Sequence, residues 1–322
     1  VTTTTAAFHR DLARIARFLP RKIITPASIG LLQRMNVLAD RRVPAGVQVL
    51  TLASGVRVRL YQPKATAAPG PALLWIHGGG YVIGSAAQDD AVCRRFADAL
   101  GATVASVEYR LAPQHPYPAG LEDCYAALTW LAGLPAVDTT RVAIGGASAG
   151  GGLAAALALL ARDRAEVALA AQLLVYPMLD DRSVSTELDD PGHRLWTYES
   201  NRFGWSAYLG DADPEVAVPA RRADLSGLPP AWIGVGTLDL FHGEDLAYAD
   251  RLRAAGVPCE VEIVEGAFHG FDGVVPKSGV SQTFHRCQRE WLKRIFTNSP
   301  PARTNHTGGE GVPGDQPAMN SE

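Results

Sequence analysis

Apolar and polar positions divide the chain into segments of distinct character. Residues 47–52 and 56–60 alternate at period two, with Ala53-Ser54-Gly55 between them, the pattern of a half-exposed hairpin at a sheet edge. Residues 73–76 form a continuous apolar run instead, as expected of a strand buried on both faces. Residues 103–107, 142–144, 169–175 and 231–235 read the same way, and 261–264 is a further strand. Helical patterns separate most of these runs, over 87–100, 119–132, 149–162, 243–255 and 280–297. Strand alternating with helix predicts an α/β fold, a mostly parallel sheet with helices on both faces.

Three stretches stand outside this alternation. Residues 8–19 place Phe8, Leu12, Ile15, Ala16 and Leu19 on one helical face and arginines on the other. A second helix is predicted from Pro26, with Thr25 as its N-cap and Ile29, Leu32 and Met35 or Val37 facing inward. The pair reads as a lid packed on the core; a basic helix lying on a membrane surface is the less favoured alternative. Residues 178–228 are polar and rich in Asp and Pro, and carry Trp196, Tyr198, Phe203, Trp205 and Tyr208. An excursion of that length is disordered or functional, and its aromatic content argues for an ordered second part of the lid. Residues 298–322 have almost no large apolar side chains and are expected to be a disordered tail. The division is therefore 1–44 for the N-terminal helices, 45–297 for the main domain with an insertion at about 178–228, and 298–322 for the tail.

Composition narrows the function classes. The chain is 47% hydrophobic, enough for a sizeable core, and its net charge of −3 gives no field that favours nucleic acid. Cys93, Cys124, Cys259 and Cys287 lie far apart with no C-x-x-C pair, so neither a zinc knuckle nor a redox dithiol is suggested. Separated thiols fit a reducing compartment, no secretory signal is visible in the first thirty residues, and the apolar run 153–161 is too short to span a bilayer. The expectation is a cytoplasmic protein.

Two glycine-rich turns carry the chemistry. His77-Gly78-Gly79-Gly80 and Gly146-Ala147-Ser148-Ala149-Gly150 each follow a buried-strand pattern. The second places Ser148 on a tight strand-to-helix turn that holds its hydroxyl clear of the backbone, as a nucleophile requires. The first offers backbone N–H groups: Gly78 and Gly79, with Ala149 after the serine, are candidate donors to an oxyanion. Such turns also bind phosphate, but neither turn here carries a G-x-G-x-x-G or a Walker lysine. A serine needs a base. Of the eight histidines, His269 lies in a loop just after the last strand, on the edge where sites form in open parallel sheets. His242 and His285 fall in helical patterns, where a solvated face is the ordinary fate. Asp239, after strand 231–235, is the best candidate to orient His269; Glu265 and Asp272 flank the histidine less productively, and Glu244 and Asp245 read as solvated charges in a helix's first turn.

Five blocks in order, His77-Gly78-Gly79-Gly80, Glu108-Tyr109-Arg110-Leu111-Ala112-Pro113, Pro118-Ala119-Gly120-Leu121-Glu122-Asp123, Ser148-Ala149-Gly150-Gly151 and His269-Gly270-Phe271, resemble the hormone-sensitive-lipase-like (bacterial family IV) esterases over about residues 45–297. The resemblance implies an eight-stranded α/β-hydrolase core with a helical cap made by the N-terminal helices and the insertion. It implies hydrolysis of short- to medium-chain carboxylic esters, with Ser148, Asp239 and His269 as the triad and Gly78, Gly79 and Ala149 as the oxyanion hole. No cofactor and no metal are required. The partner is a small acyl ester; nucleic acid is not expected, membrane contact is not favoured, and a homodimer stays open. Trp196, Phe203, Trp205 and Tyr208 are expected either to roof the acyl pocket or simply to pack the lid. The chain departs from the family pattern at Ala147, Gln114 and Asp239-Leu240-Phe241, none of which removes a triad member. A lipase working at lipid surfaces and a ligand-binding relative without activity are the alternatives; relatives such as plant gibberellin receptors have lost a catalytic residue, whereas all three positions are kept here.

Overall fold

The computed structural model describes residues 7–22, 24, 28–40, 42–64 and 69–298. Eight strands form one sheet: β1 (Val47–Thr51), β2 (Arg57–Tyr61), β3 (Gly70–Ile76), β4 (Thr103–Glu108), β5 (Val137–Ala147), β6 (Ala171–Val175), β7 (Ala231–Leu238) and β8 (Cys259–Phe268). Their order across the sheet is β1-β2-β4-β3-β5-β6-β7-β8. The two pairings that involve β2 are antiparallel, and every other neighbouring pair is parallel.

Each central strand feeds two cores because successive side chains point to opposite faces. Leu74 and Ile76 of β3 join Ile144, Leu174 and Ile233 on one face, under α4 (Ala119–Ala132), α5 (Ala149–Arg164) and α8 (His242–Ala254). Leu73 and Trp75 join Ala143, Leu173 and Trp232 on the other, under α3 (Asp90–Leu100) and α10 (Gly279–Asn298). Burial on both faces is why these strands read as unbroken apolar runs.

The hairpin departs from its expected half-exposure. β1 is largely exposed, but four of the five residues of β2 are buried. Arg59, which alternation assigns to solvent, is 2% exposed; its Nε and Nη2 each donate to Asp90 at 2.8 Å, and the Tyr61 hydroxyl also donates to Asp90. Asp90 opens α3, so a buried bidentate pair ties the strand to its covering helix.

The N-terminal segment also differs from expectation. Of residues 8–19, expected as one helix, the single turn α1 (Ala13–Ala16) is α-helical. Leu12 and Ala16 are fully buried and Phe8 packs edge-on against Phe268, but Ile15, expected inward, is 40% exposed. α2 (Ile29–Asp40) packs Ile29 and Leu32 on the core as expected; Thr25, Pro26 and the side chains of Met35 and Val37 lie outside the described residues. The insertion holds α6 (Tyr198–Leu209) and α7 (Pro214–Ala217) and touches the N-terminal segment. Arg194 donates to the Ala16 carbonyl at 2.6 Å, Leu195 N–H to the Pro20 carbonyl at 3.0 Å, and Lys22 to Glu199 at 2.8 Å. Asn298 ends α10, and the remainder of the expected tail lies outside the described residues. Among the described residues no helix is long and apolar enough to cross a membrane.

Candidate active site

β5 ends at Ala147 and α5 begins at Ala149, so Ser148 alone reverses the chain, at φ 58° and ψ −123°. This is a strained backbone for a serine. Its N–H donates to the Val175 carbonyl at 2.9 Å, and its own carbonyl accepts from Gly152 and Met178, each at 3.0 Å. Glycines make the turn passable: a Cβ at Gly146 would overlap the Gly150 carbonyl, and one at Gly150 would overlap the Ile76 carbonyl. The serine is thus wedged between β3 and β6 and projects from the carboxyl edge of the sheet.

Asp239 follows β7 and His269 follows β8, which brings both to the same edge. His269 Nε2 lies 2.9 Å from Ser148 Oγ, and His269 Nδ1 lies 2.8 Å from Asp239 Oδ2. The other Asp239 oxygen accepts the Phe241 N–H at 3.0 Å. A buried carboxylate accepts only, so Nδ1 carries the imidazole proton, and Nε2 is left to accept from the Ser148 hydroxyl. All three residues are under 10% exposed.

The His77–Gly80 turn lies alongside. His77 stacks on Tyr109 with centroids 4.3 Å apart, its Nδ1 lies 2.8 Å from the Gly78 carbonyl oxygen, and the Tyr109 hydroxyl donates to the His77 carbonyl at 3.0 Å. A Cβ at Gly78 would come 2.8 Å from the Ala147 carbonyl oxygen and 3.2 Å from Ser148 Cβ, which sets the Gly78 backbone directly against the serine. The N–H groups of Gly78 and Gly79 donate to no protein acceptor among the described residues. Ala149 N–H opens α5, where first-turn donors have no partner inside the helix. Donors left free beside a serine–histidine pair can receive an oxyanion. Among the described residues no group of three or more His, Cys, Asp or Glu side chains could hold a metal ion.

Three aromatic rings surround the His269 imidazole: Tyr176 at 4.9 Å, Phe241 at 5.1 Å and Trp196 at 6.4 Å between centroids. Of the four insertion aromatics singled out from the sequence, Trp196 alone makes a ring contact with His269 among the described residues. Tyr208 stacks on Tyr81 at 4.1 Å, Trp205 packs against both, and Phe203 is half-buried on the same core.

Three polar residues expected in solvent are buried. Glu244 is 9% exposed, and one of its carboxyl oxygens accepts the N–H groups of Leu179 at 2.7 Å and Asp180 at 3.1 Å. Burial pushes its pKa up to about 8. Asp245 is fully buried with no hydrogen-bond partner for either oxygen, and desolvation, with Glu244 and Asp239 nearby, holds its pKa well above the usual carboxylate range. Neither sits on a solvated first turn, because the chain after β6 folds over the start of α8. His285 is buried too, its Nε2 2.9 Å from Asp272 Oδ2. Glu265 is exposed, and Asp272 turns away from His269.

A family model described as an alpha/beta hydrolase fold matches residues 73–273. The chain belongs to the α/β-hydrolase family, in its hormone-sensitive-lipase-like branch. Esterase LipI of Mycobacterium tuberculosis is 36% identical over 262 residues, 76% of this chain and 82% of that protein. Carboxylesterase NlhH of the same organism is 36% identical over 280 residues, 84% of each. A solved bacterial heroin esterase superposes with a TM-score of 0.80 at 35% identity, covering 90% of this chain and 98% of its own. In this hydrolase, Tyr176 and Phe241 are the site neighbours that sequence reasoning missed. The usable signal was position: Tyr176 is the first residue after β6, on the edge that carries Ser148, Asp239 and His269.

Proposed function

We propose that the chain is a serine carboxylesterase acting on short- to medium-chain acyl esters through an acyl-enzyme. The reading rests on one observation, the unbroken hydrogen-bonded series Ser148–His269–Asp239 beside the free N–H groups of Gly78 and Gly79. Ser148 Oγ attacks the ester carbonyl as His269 takes its proton, and Asp239 stabilises the resulting imidazolium. The tetrahedral oxyanion is received by Gly78, Gly79 and Ala149. His269 then protonates the departing alcohol, and water releases the acid by the reverse proton path. An ester is a better substrate than an amide because alkoxide is the better leaving group. Family membership and relatives named esterase and carboxylesterase support the same reaction.

The N-terminal segment with residues 178–228 forms the cap in this reading, and residues 45–297 outside that insertion form the catalytic domain. Trp196 roofs the acyl site, while Trp205 and Tyr208 anchor the cap to Tyr81. A cytoplasmic location fits four cysteines that are all free thiols. The deciding experiment combines fluorophosphonate labelling with the acyl burst on a p-nitrophenyl ester. Wild type labels at Ser148 and shows a burst, and Ser148→Ala does neither. An undiminished burst in Ser148→Ala overturns the assignment, and failure of wild type to label favours a ligand-binding role instead.

A further inference from the structure

Behind His269 lies a second chain of polar groups that the ester chemistry leaves unused. Tyr176 follows β6 at φ 35° and donates its N–H to the Gly234 carbonyl at 2.7 Å. Its ring meets His269 nearly edge-to-face, at an interplanar angle of 67°, and lies parallel to Phe284 with centroids 6.3 Å apart. The Tyr176 hydroxyl donates to Asp272 Oδ1 at 2.7 Å, and Asp272 Oδ2 accepts from His285 Nε2 at 2.9 Å. All three residues are buried. Asp272 comes from α9 (Phe271–Val274) and His285 from α10, so three separate elements fix one phenol ring against one imidazole. Burial, reinforced by the Asp272 carboxylate, keeps the Tyr176 hydroxyl protonated far above its usual range, so it remains a donor at working pH.

We propose that Tyr176, fixed by Asp272 and His285, is a positioning residue for His269. It holds the imidazole between Ser148 and Asp239 and favours the imidazolium that forms as Ser148 gives up its proton. A phenol donating to a carboxylate carries more electron density in its ring, and a ring stabilises a cation that lies over its face within about 6 Å of its centroid, a reach that the 4.9 Å separation satisfies. An effect of that kind corresponds to roughly two- to thirtyfold in rate. Asp272 and His285 never touch the reacting atoms and act only through the tyrosine. The inference rests on the reading of Ser148 as nucleophile.

The test compares Tyr176→Leu, Tyr176→Phe, Asp272→Asn and the Tyr176→Phe/Asp272→Asn pair with wild type. In each, kcat is expressed per site titrated by fluorophosphonate, and kcat/KM is followed against pH. Tyr176→Leu is expected to lower kcat about tenfold with KM within about twofold. It also moves the acid limb of the kcat/KM profile to lower pH, because a less stabilised imidazolium sheds its proton more readily. Tyr176→Phe keeps the ring and recovers part of the loss, Asp272→Asn matches it, and the pair is no worse than either alone. An unmoved acid limb in Tyr176→Leu, or in Tyr176→Phe if the leucine variant does not fold, overturns the proposal, since a purely structural tyrosine would cost stability without displacing that limb. Full additivity of the pair overturns it as well. Absence of labelling in wild type strikes instead at the nucleophile assignment, and is seen before any variant is compared.

Discussion

The far end of the Trp196 indole lies against the α-carbon of Gly80, so close that a Cβ there would overlap its Cη2. The contact joins the insertion to the turn that carries Gly78 and Gly79. Gly80 sits at φ 60°, and Trp196 is held by its Nε1 donating to Asn201 Oδ1 at 3.1 Å. Neither side can retreat freely. Gly80→Ala should therefore lower kcat/KM on a p-nitrophenyl ester by about 10²–10³, the scale of losing one oxyanion donor. Adding Trp196→Ala should restore part of that loss by vacating the space. Steady-state kinetics of the two single variants and the double variant measure this, and a double variant worse than Gly80→Ala alone would refute the steric account.

Asp239→Asn should lower kcat by about 10⁴ with little change in KM. One oxygen of Asp239 accepts the Phe241 N–H, so an asparagine would keep its carbonyl there and turn its NH₂ toward His269 Nδ1. Nδ1 would then have to accept, the proton would move to Nε2, and Nε2 could no longer receive the proton of Ser148. Stopped-flow acylation and KM, read together, separate this from a loss of binding.

Glu244 gives the stability a pH dependence of unusual sign. Its folded pKa is raised to about 8 by burial, above the ordinary carboxyl value of the unfolded chain. The folded state therefore binds more protons between those two values. The corresponding stability is fully present at acid pH below the unfolded value and is lost as pH rises through about 8. Glu244→Gln keeps an oxygen for the Leu179 and Asp180 N–H groups but cannot ionise. It should raise Tm relative to wild type at pH 9 and have a smaller effect at pH 5. Thermal melts across that range check it, with a pH-independent difference as the opposing result.

How much was legible in the sequence follows from what each feature depends on. The central strands could be read because two-sided burial demands unbroken apolar runs, as in Leu73 to Ile76. Ser148 and its glycines could be read because Gly146 and Gly150 have no room for any other side chain. Arg59, Glu244 and His285 could not. Each stands where local pattern predicts solvent, and each is buried by a distant element: α3 over Arg59, the chain after β6 over Glu244, and Asp272 against His285. Ile15 fails in the opposite sense, reading as an inward position at helical spacing from Leu12 and standing 40% exposed. Local periodicity reports which faces can be buried, and the partner that covers a polar group is a fact of tertiary packing.

The wedging of Gly150 against Ile76, and of Gly78 against Ala147, is backbone on backbone and leaves the two turns no independent freedom. The insertion, by contrast, meets the N-terminal segment largely through side chains and ion pairs such as Arg21–Asp189 and Lys22–Glu199. On the reading in which the insertion roofs the site, acyl preference is recut through its outer side chains, Trp196 excepted because it is locked onto the Gly80 turn. The reaction itself is cast into a part of the chain that tolerates almost no editing.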